Sequence, residues 1–390
     1  MAFAESHFDN LMRNKSRLRV CLASSQSSWH GGERQMLLLA KGLERRGHAV
    51  LSLVQANSDV AARMRNAECD LHEFSGRGRS PNSLFGIRKA LRQFEPDVLL
   101  YNDSHALISA GIAGWRLPIA TRVLSRRVAF PLRSSKHIGW LADRVICVSR
   151  SVREICRAAG VDDSMLSVVH DGVEPESLRR SFSSTESIKS QFGNRTLLIT
   201  VANLAECKGH RYFLHAMPKI VEHFPDALWL LAGDGKQRSM LERGIADLKL
   251  ENHVKLLGYR DDTSDLLRAA DAMIIPSHTE GLCSSIIDAM LLDCPVVATR
   301  AGGIPDLLGH DGQAFGRMTE TRNSAELAQQ VIELLQDSKA TQRTATAARR
   351  YALQRFTADV MVEQTLNVFY DSINRACSEP AAECRRRRAA

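Results

Sequence analysis

The densest chemistry in this sequence lies in the stretch Pro276-Ser-His-Thr-Glu-Gly-Leu-Cys-Ser-Ser-Ile-Ile-Asp-Ala-Met290. An apolar strand-like run ends at Pro276, a loop passes through Gly281, and Ser284 or Ser285 is placed to cap a helix reaching Leu292. Glu280 then stands before the helix and Asp288 a turn or so inside it. Two carboxylates so spaced accept hydrogen bonds from vicinal hydroxyls at either end of a ligand whose phosphates lie at the helix N-terminus. A second group is Ala202-Asn-Leu-Ala-Glu-Cys-Lys-Gly209, which puts Lys208 in a loop entering a helix, where an ammonium can meet phosphate. The same Lys-Gly pair also reads as an ordinary helix boundary, and Leu231-Ala-Gly-Asp-Gly235 as an ordinary strand-end turn. Nearer the start, Trp29-His-Gly-Gly-Glu-Arg34 opens a helix. Gly31 and Gly32 let backbone approach a ligand closely there, or simply make a tight turn. Neither G-x-G-x-x-G nor G-x-x-x-x-G-K-[ST] occurs at these turns, which excludes the dinucleotide and P-loop readings.

These turns need strands and helices to hold them, and the hydrophobic pattern supplies both. Arg19–Ala23, Ala49–Val54, Val98–Tyr101 and Val145–Val148 are short apolar runs of the kind that forms buried parallel strands. Between the first two, Met36, Leu37, Ala40 and Leu43 recur at helical spacing and end at Gly47, a βαβ unit. The alternation resumes with Leu197–Val201, Leu228–Ala232, Val254–Leu257, Met273–Ile275 and Pro295–Thr299. Two α/β sheets are therefore expected, with the connection in the polar stretch Glu174–Asn194. A last helix is expected over Ala358–Ile373, with Val362, Leu366, Phe369, Tyr370 and Ile373 on one face, followed by a frayed tail carrying Arg385–Arg388.

A chain of 390 residues accommodates two domains, and 44% hydrophobic with 25% charged residues suits a globular protein with two cores. No run of about 18 apolar residues is present to span a membrane. The first 16 residues carry Glu5 and Asp9 and lack the apolar core of a signal peptide. Nine cysteines without a C-x-x-C pair give neither a zinc pattern nor a disulfide framework, so a reducing cytoplasm is the simplest location. Charge is divided unevenly. Residues 1–190 hold 28 Lys/Arg against 19 Asp/Glu, and residues 191–390 hold 24 against 25. The basic half points to an anionic partner, such as a phospholipid surface or an acidic acceptor, or to a plain solvated face. No recognition motif accompanies the charge to suggest nucleic acid.

Taken in order, the glycine pair after the first strand, V-V-H-D-G-V-E, L-x-x-x-K-G, A-G-D-G, E-G-L with an acid eight residues after the Glu, and A-G-G-I-P resemble the retaining nucleotide-sugar glycosyltransferases of family 4. The resemblance covers about Arg19 to Ile373. It implies the GT-B fold: two Rossmann-like α/β/α domains facing a central cleft, over residues 17–180 and 191–357, with a helix at 358–376 crossing back to the first domain and a disordered basic tail at 377–390. It further implies that Glu280 contacts the donor sugar, that Gly281, Leu282, Cys283 and Ser284 meet sugar and diphosphate through their backbone, that Lys208 binds the diphosphate, and that Asp288 binds the ribose hydroxyls. Asn203 and Gly233 would line the same donor site, and Gly31 and Gly32 would face it from the other domain.

Three positions depart from the family pattern. Asp288 replaces the usual Glu and is one methylene shorter. Asn203 stands where many members carry an Arg that assists the lysine. The segment Ser125-Arg-Arg-Val128 stands where many have a His near the reacting carbon. Arg126, Arg127 and His105 are the acceptor-side candidates, each with a plain structural or solvated alternative. The implied reaction is transfer of a sugar from a nucleotide diphosphate sugar to an acceptor hydroxyl with retention of configuration, with Lys208 and Glu280 as the catalytic pair. It uses no cofactor, and the lack of a D-x-D pair agrees with metal independence. The implied setting is cell-envelope polysaccharide, glycolipid or lipopolysaccharide synthesis at the cytoplasmic face of an anionic membrane. The alternatives are a nucleotide-sugar 2-epimerase on the same fold and an inactive nucleotide-sugar-binding subunit.

Overall fold

A computed structural model describes residues 17–76, 78–132, 135–179 and 184–378. The first 16 residues and the Arg385–Arg388 tail lie outside the described residues. The chain forms two units: residues up to Asp171 together with those from Ala358 onward, and Gly172–Thr357.

In the first unit, seven parallel strands are β1 (Arg19–Ala23), β2 (Ala49–Gln55), β3 (Leu71–Phe74), β4 (Val98–Tyr101), β5 (Thr121–Arg126), β6 (Arg144–Cys147) and β7 (Leu166–Val168). Their order is β3-β2-β1-β4-β5-β6-β7, with Val20 opposite Val50 on one side and Val98 on the other. β4 and β6 are buried along their whole length, as continuous apolar runs between two helical layers must be. The final helix, Ala358–Ser378, belongs to this unit. Its Val362, Leu366, Phe369 and Ile373 share a core with Leu22, Met36 and Leu43, and Thr121 and Ser372 hydroxyls meet at 2.6 Å in the interior.

That helix lies very close to the helix Gly31–Arg45. A Cβ added at Gly42 would lie 2.4 Å from Val362 Cγ2. Val362 is β-branched and stiff at χ1, so it cannot swing aside. Gly42→Val is therefore expected to destabilise the unit by about 1–3 kcal/mol, and Val362→Ala in the same chain to recover part of the loss, read by denaturant unfolding. An unchanged midpoint for Gly42→Val would show that the two helices are not in this contact.

The second unit has its own six-stranded parallel sheet. Its strands β8 (Leu197–Val201), β9 (Leu228–Ala232), β10 (Val254–Gly258), β11 (Ala272–Ile275), β12 (Val296–Thr299) and β15 (Arg317–Thr319) run in the order β10-β9-β8-β11-β12-β15; the two-residue strands β13 (Gly309–His310) and β14 (Gln313–Ala314) pair separately. Trp229 is fully buried in its core, with its indole N–H donating to Thr200 Oγ1 at 3.0 Å and that hydroxyl donating to the Ile274 carbonyl at 2.7 Å.

The division between units falls at 171/172 rather than within Glu174–Asn194. That polar stretch forms the helices Pro175–Arg179 and Thr185–Gln191 and packs on the second unit. Val173 N–H donates to the Phe356 carbonyl at 2.9 Å, the Leu178 carbonyl accepts from Arg268, and Ile188 is buried. Its apolar anchors are spaced too widely to register as a strand or a long helix.

Candidate active site

In the second unit the chain leaves β8 toward β9 and β10, then returns to β11 and proceeds toward β12 and β15. Connections that diverge in this way leave a crevice beyond the carboxyl ends of the two central strands. The loops that follow β8 and β11 carry Lys208 and Glu280, and the structure brings them together. Lys208 Nζ lies 2.7 Å from Glu280 Oε1, with side-chain exposures of 21% and 7%. Burial alone would pull the Lys208 ammonium down, but the Glu280 carboxylate outweighs it and holds the lysine above its ordinary range. Lys208 is therefore a permanent cation at neutral pH, and among the described residues the bond to Glu280 uses one of its three N–H donors.

Several close backbone contacts fix this pair. The Cys207 carbonyl accepts from His278 N–H at 2.9 Å and Thr279 N–H at 3.4 Å, joining the two loops. Gly209, at φ +65°, has no room for a side chain, since a Cβ would lie 2.1 Å from the Pro276 carbonyl oxygen. Gly233 packs on the Ala202 carbonyl with equal closeness, so the A-G-D-G turn braces the β8 loop from the side. The Asn203 residue itself is exposed; its carbonyl accepts from the buried His210 ring, which must carry its proton on Nε2 to donate across 3.0 Å. Burial pushes His210 below its ordinary range and keeps it neutral.

The helix after the Glu280 loop spans Ser284–Leu291. Cys283, not a serine, holds the N-cap position, in a left-handed conformation with φ 77°, and no side chain caps the terminus. The left-handed entry carries Ser284 and Ser285 into the first turn, where they cannot act as caps. Gly281 is half-buried, Leu282 is buried, and Asp288 is half-buried inside the helix. Burial pushes the Cys283 thiol up to about 12, so it is no nucleophile at neutral pH.

In the first unit the order reverses between β1 and β4, and the residues beyond those strands gather as one polar cluster. Gly31 and Gly32 open their helix after His30, with no side chain capping the terminus. Asn102 Nδ2 donates to the Gly32 carbonyl at 3.3 Å, and Arg127 pairs with the buried Asp171. Arg127 also borders the glycine turn, its Cδ 3.6 Å from where a Gly32 Cβ would sit. Burial raises Asp171, against the opposing pull of Arg127 and His170. Arg126 takes no such position: it is buried, and its guanidinium donates to the Phe130 carbonyl, shaping the loop after β5. Its side chain alternates to the interior because it is the last residue of a strand buried on both faces. His105 lies near the surface, with Nδ1 2.7 Å from the Arg79 guanidinium.

The contacts of Ser277, Gly302 and Asp171 do not follow from the sequence alone, although all three stand within the motif segments described above. Ser277 precedes Glu280 by three positions, an S-x-x-E spacing that ordinarily signals a capping box. Here no helix starts at Ser277, and its hydroxyl donates to the Glu280 carboxylate at 2.7 Å. Gly302, in A-G-G-I-P, presses on the Glu280 carbonyl.

Two parallel Rossmann-like sheets, the second with a buried lysine–carboxylate pair in the loops beyond its switch point, define a two-domain α/β class of protein. Residues 29–177 match the profile Glycosyltransferase Family 4 and residues 183–351 match Glycosyl transferases group 1. The chain belongs to this family of glycosyltransferases. It is 29% identical over 187 residues to an N-acetyl-alpha-D-glucosaminyl L-malate synthase of Bacillus anthracis, covering 47% of this chain and 48% of that one. It is 26% identical over 253 residues to the Escherichia coli UDP-Gal:alpha-D-GlcNAc-diphosphoundecaprenol alpha-1,3-galactosyltransferase, covering 60% and 65%. The matched region thus spans about half the length of the first of these curated relatives. Among solved structures, Anabaena HepE in complex with UDP and glucose superposes with a TM-score of 0.80 at 23% identity, covering 91% of this chain and 100% of that one. A glycosyltransferase from Rickettsia africae gives 0.81 at 18%, covering 92% and 99%. These likenesses establish the GT-B fold.

Proposed function

We propose that this chain moves a sugar from a nucleotide diphosphate sugar to a hydroxyl of a saccharide or glycolipid acceptor, with retention of anomeric configuration. The observation that carries the reading is the Lys208–Glu280 pair at 2.7 Å beside the Ser284–Leu291 helix N-terminus. The barrier of the reaction is charge separation, positive at the sugar and negative on the departing diphosphate. Lys208 and the amides of the first helical turn stabilise that growing negative charge without moving, as preorganised groups do. Glu280 accepts hydrogen bonds from sugar hydroxyls and orients the ring, and Asp288 accepts from the ribose. The departing phosphate oxygen takes the acceptor's proton as the new glycosidic bond forms, so the site needs no separate base. The family and the relatives named above favour transfer over the epimerase.

Thermal unfolding with UDP, GDP, UDP-glucose, UDP-galactose, UDP-N-acetylglucosamine and GDP-mannose tests the reading. A ligand bound only by the native state raises the midpoint by mass action. No shift with any of these sinks the donor-site assignment. A shift without turnover toward any acceptor, and without change to the donor, turns the reading to the inactive binding subunit.

The basic first half supports a further part of the proposal, docking on an anionic lipid surface from the cytoplasmic side. Among the described residues no helix is long and apolar enough to cross a membrane, while Val128, Phe130 and Trp140 of the first unit are exposed. Vesicles of phosphatidylcholine with phosphatidylglycerol are expected to retain more protein than phosphatidylcholine alone, with the difference lost at high salt. Equal retention by both removes the membrane part and leaves the transferase reading intact.

A further inference from the structure

The Glu280 carboxylate is held asymmetrically. Both bonds it makes among the described residues fall on Oε1: Lys208 Nζ donates from 2.7 Å and Ser277 Oγ from 2.7 Å. Ser277 is 1% exposed and sits between the end of β11 and the Glu280 loop. Its own position is set from the neighbouring strand, because the fully buried Thr299 hydroxyl at the end of β12 donates to the Ser277 carbonyl. A lysine alone fixes a distance but not a rotation, since its ammonium is a point charge on a flexible stem. A second donor on the same oxygen removes the rotation.

We infer that Ser277 is a positioning residue: with Lys208 it saturates Oε1 of Glu280 and turns Oε2 outward as the single acceptor offered to a sugar hydroxyl. Thr299 fixes the serine. The relay Thr299, Ser277, Glu280, Lys208 thereby ties the ends of β12 and β11 to the loop after β8. Without Ser277 the carboxylate rotates about its terminal torsion, which is broad and roughly two-fold for glutamate, and the sugar meets a disordered acceptor. The inference rests on the donor-site reading given above.

The test is a double-mutant cycle of Ser277→Ala and Glu280→Gln, with Thr299→Val as a second route. Turnover is measured as release of nucleoside diphosphate from whichever of UDP-glucose, UDP-galactose, UDP-N-acetylglucosamine and GDP-mannose gives the largest thermal shift. Ser277→Ala is expected to lower kcat about ten- to a hundredfold, the worth of one hydrogen bond to a charged group, with donor KM nearly unchanged. In the Glu280→Gln chain the same substitution is expected to add little, because the group it positions is already gone. Thr299→Val replaces a buried hydroxyl with a methyl of the same shape and is expected to cost about two- to tenfold by the same split. Wild-type kcat in Ser277→Ala overturns the inference, as does an equal fold-loss in both backgrounds, which would mean that the serine acts by packing. If Glu280→Gln itself turns over like wild type, the donor-site reading falls and this inference with it. Loss in Glu280→Gln but not in Ser277→Ala overturns this inference alone.

Discussion

Lys208→Ala is expected to lower kcat about 10²- to 10³-fold while changing donor KM far less. In the proposed reading the ground-state diphosphate already carries its charge and has the helix terminus to meet it, so the lysine contributes most where charge grows toward the transition state. Two side effects have to be separated from that loss. The substitution leaves a 7%-exposed carboxylate with Ser277 as its one donor among the described residues, which costs stability of about 2 kcal/mol, read independently by denaturant unfolding. The sign of its pH dependence follows from the lysine. A group raised in the folded state contributes fully below its unfolded pKa and loses that contribution only as pH rises through the folded value, so this stabilisation is complete at neutral pH and fades in strong alkali. Asp288→Asn provides the contrast. It touches the ribose in the proposed reading, remote from the breaking bond, and should act chiefly on donor KM. Equal losses of kcat in both variants would put Lys208 in a binding role only, and an intact Lys208→Ala would remove it from the reaction.

How much of this was readable beforehand differs between elements for physical reasons. The strands β1, β4, β8, β9, β11 and β12 are buried on both faces and announce themselves as unbroken apolar runs. β3 and β7 are short strands at the sheet edges, partly exposed, and their Leu-His-Glu-Phe and Leu-Ser-Val carry no such run. Lys208 and Glu280 are legible through the ordered set of motifs they belong to, since a Lys-Gly pair alone is an ordinary helix boundary. Their 2.7 Å contact is a property of strand order, and order is not local: nothing between residues 209 and 276 says that β11 lies against β8. Ser277 was hidden by its own signal, since S-x-x-E normally describes a helix start. The expected serine cap failed because one residue, Cys283, adopts a left-handed conformation that its type does not advertise. Asp171 and Arg127 are forty-four positions apart and meet only because β5 and the chain beyond β7 end on the same side of a parallel sheet.

Gly302→Ala is expected to abolish most turnover, through the backbone of Glu280 rather than its side chain. Gly302 has φ +53°, where an alanine costs about 1–2 kcal/mol in local strain alone. The larger effect is steric. A Cβ at this position would lie 1.7 Å from the Glu280 carbonyl oxygen, 2.7 Å from its carbonyl carbon and 3.2 Å from its Cα, all backbone atoms with no rotamer to escape into. Relief requires the Glu280 segment or the Gly302 turn to move by an ångström or more, and a misplacement of that size at a reacting centre costs about 10²-fold in rate. Gly312 separates strain from contact. It has φ +79° with nothing within 4 Å of an added Cβ, so Gly312→Ala carries the backbone strain without the collision. Gly312→Ala is expected to lose about 1–2 kcal/mol of stability and keep its kcat, whereas Gly302→Ala loses both. Equal turnover in the two variants would show that A-G-G-I-P serves only as a turn, and that the position of Glu280 is not set by the glycine packed against it.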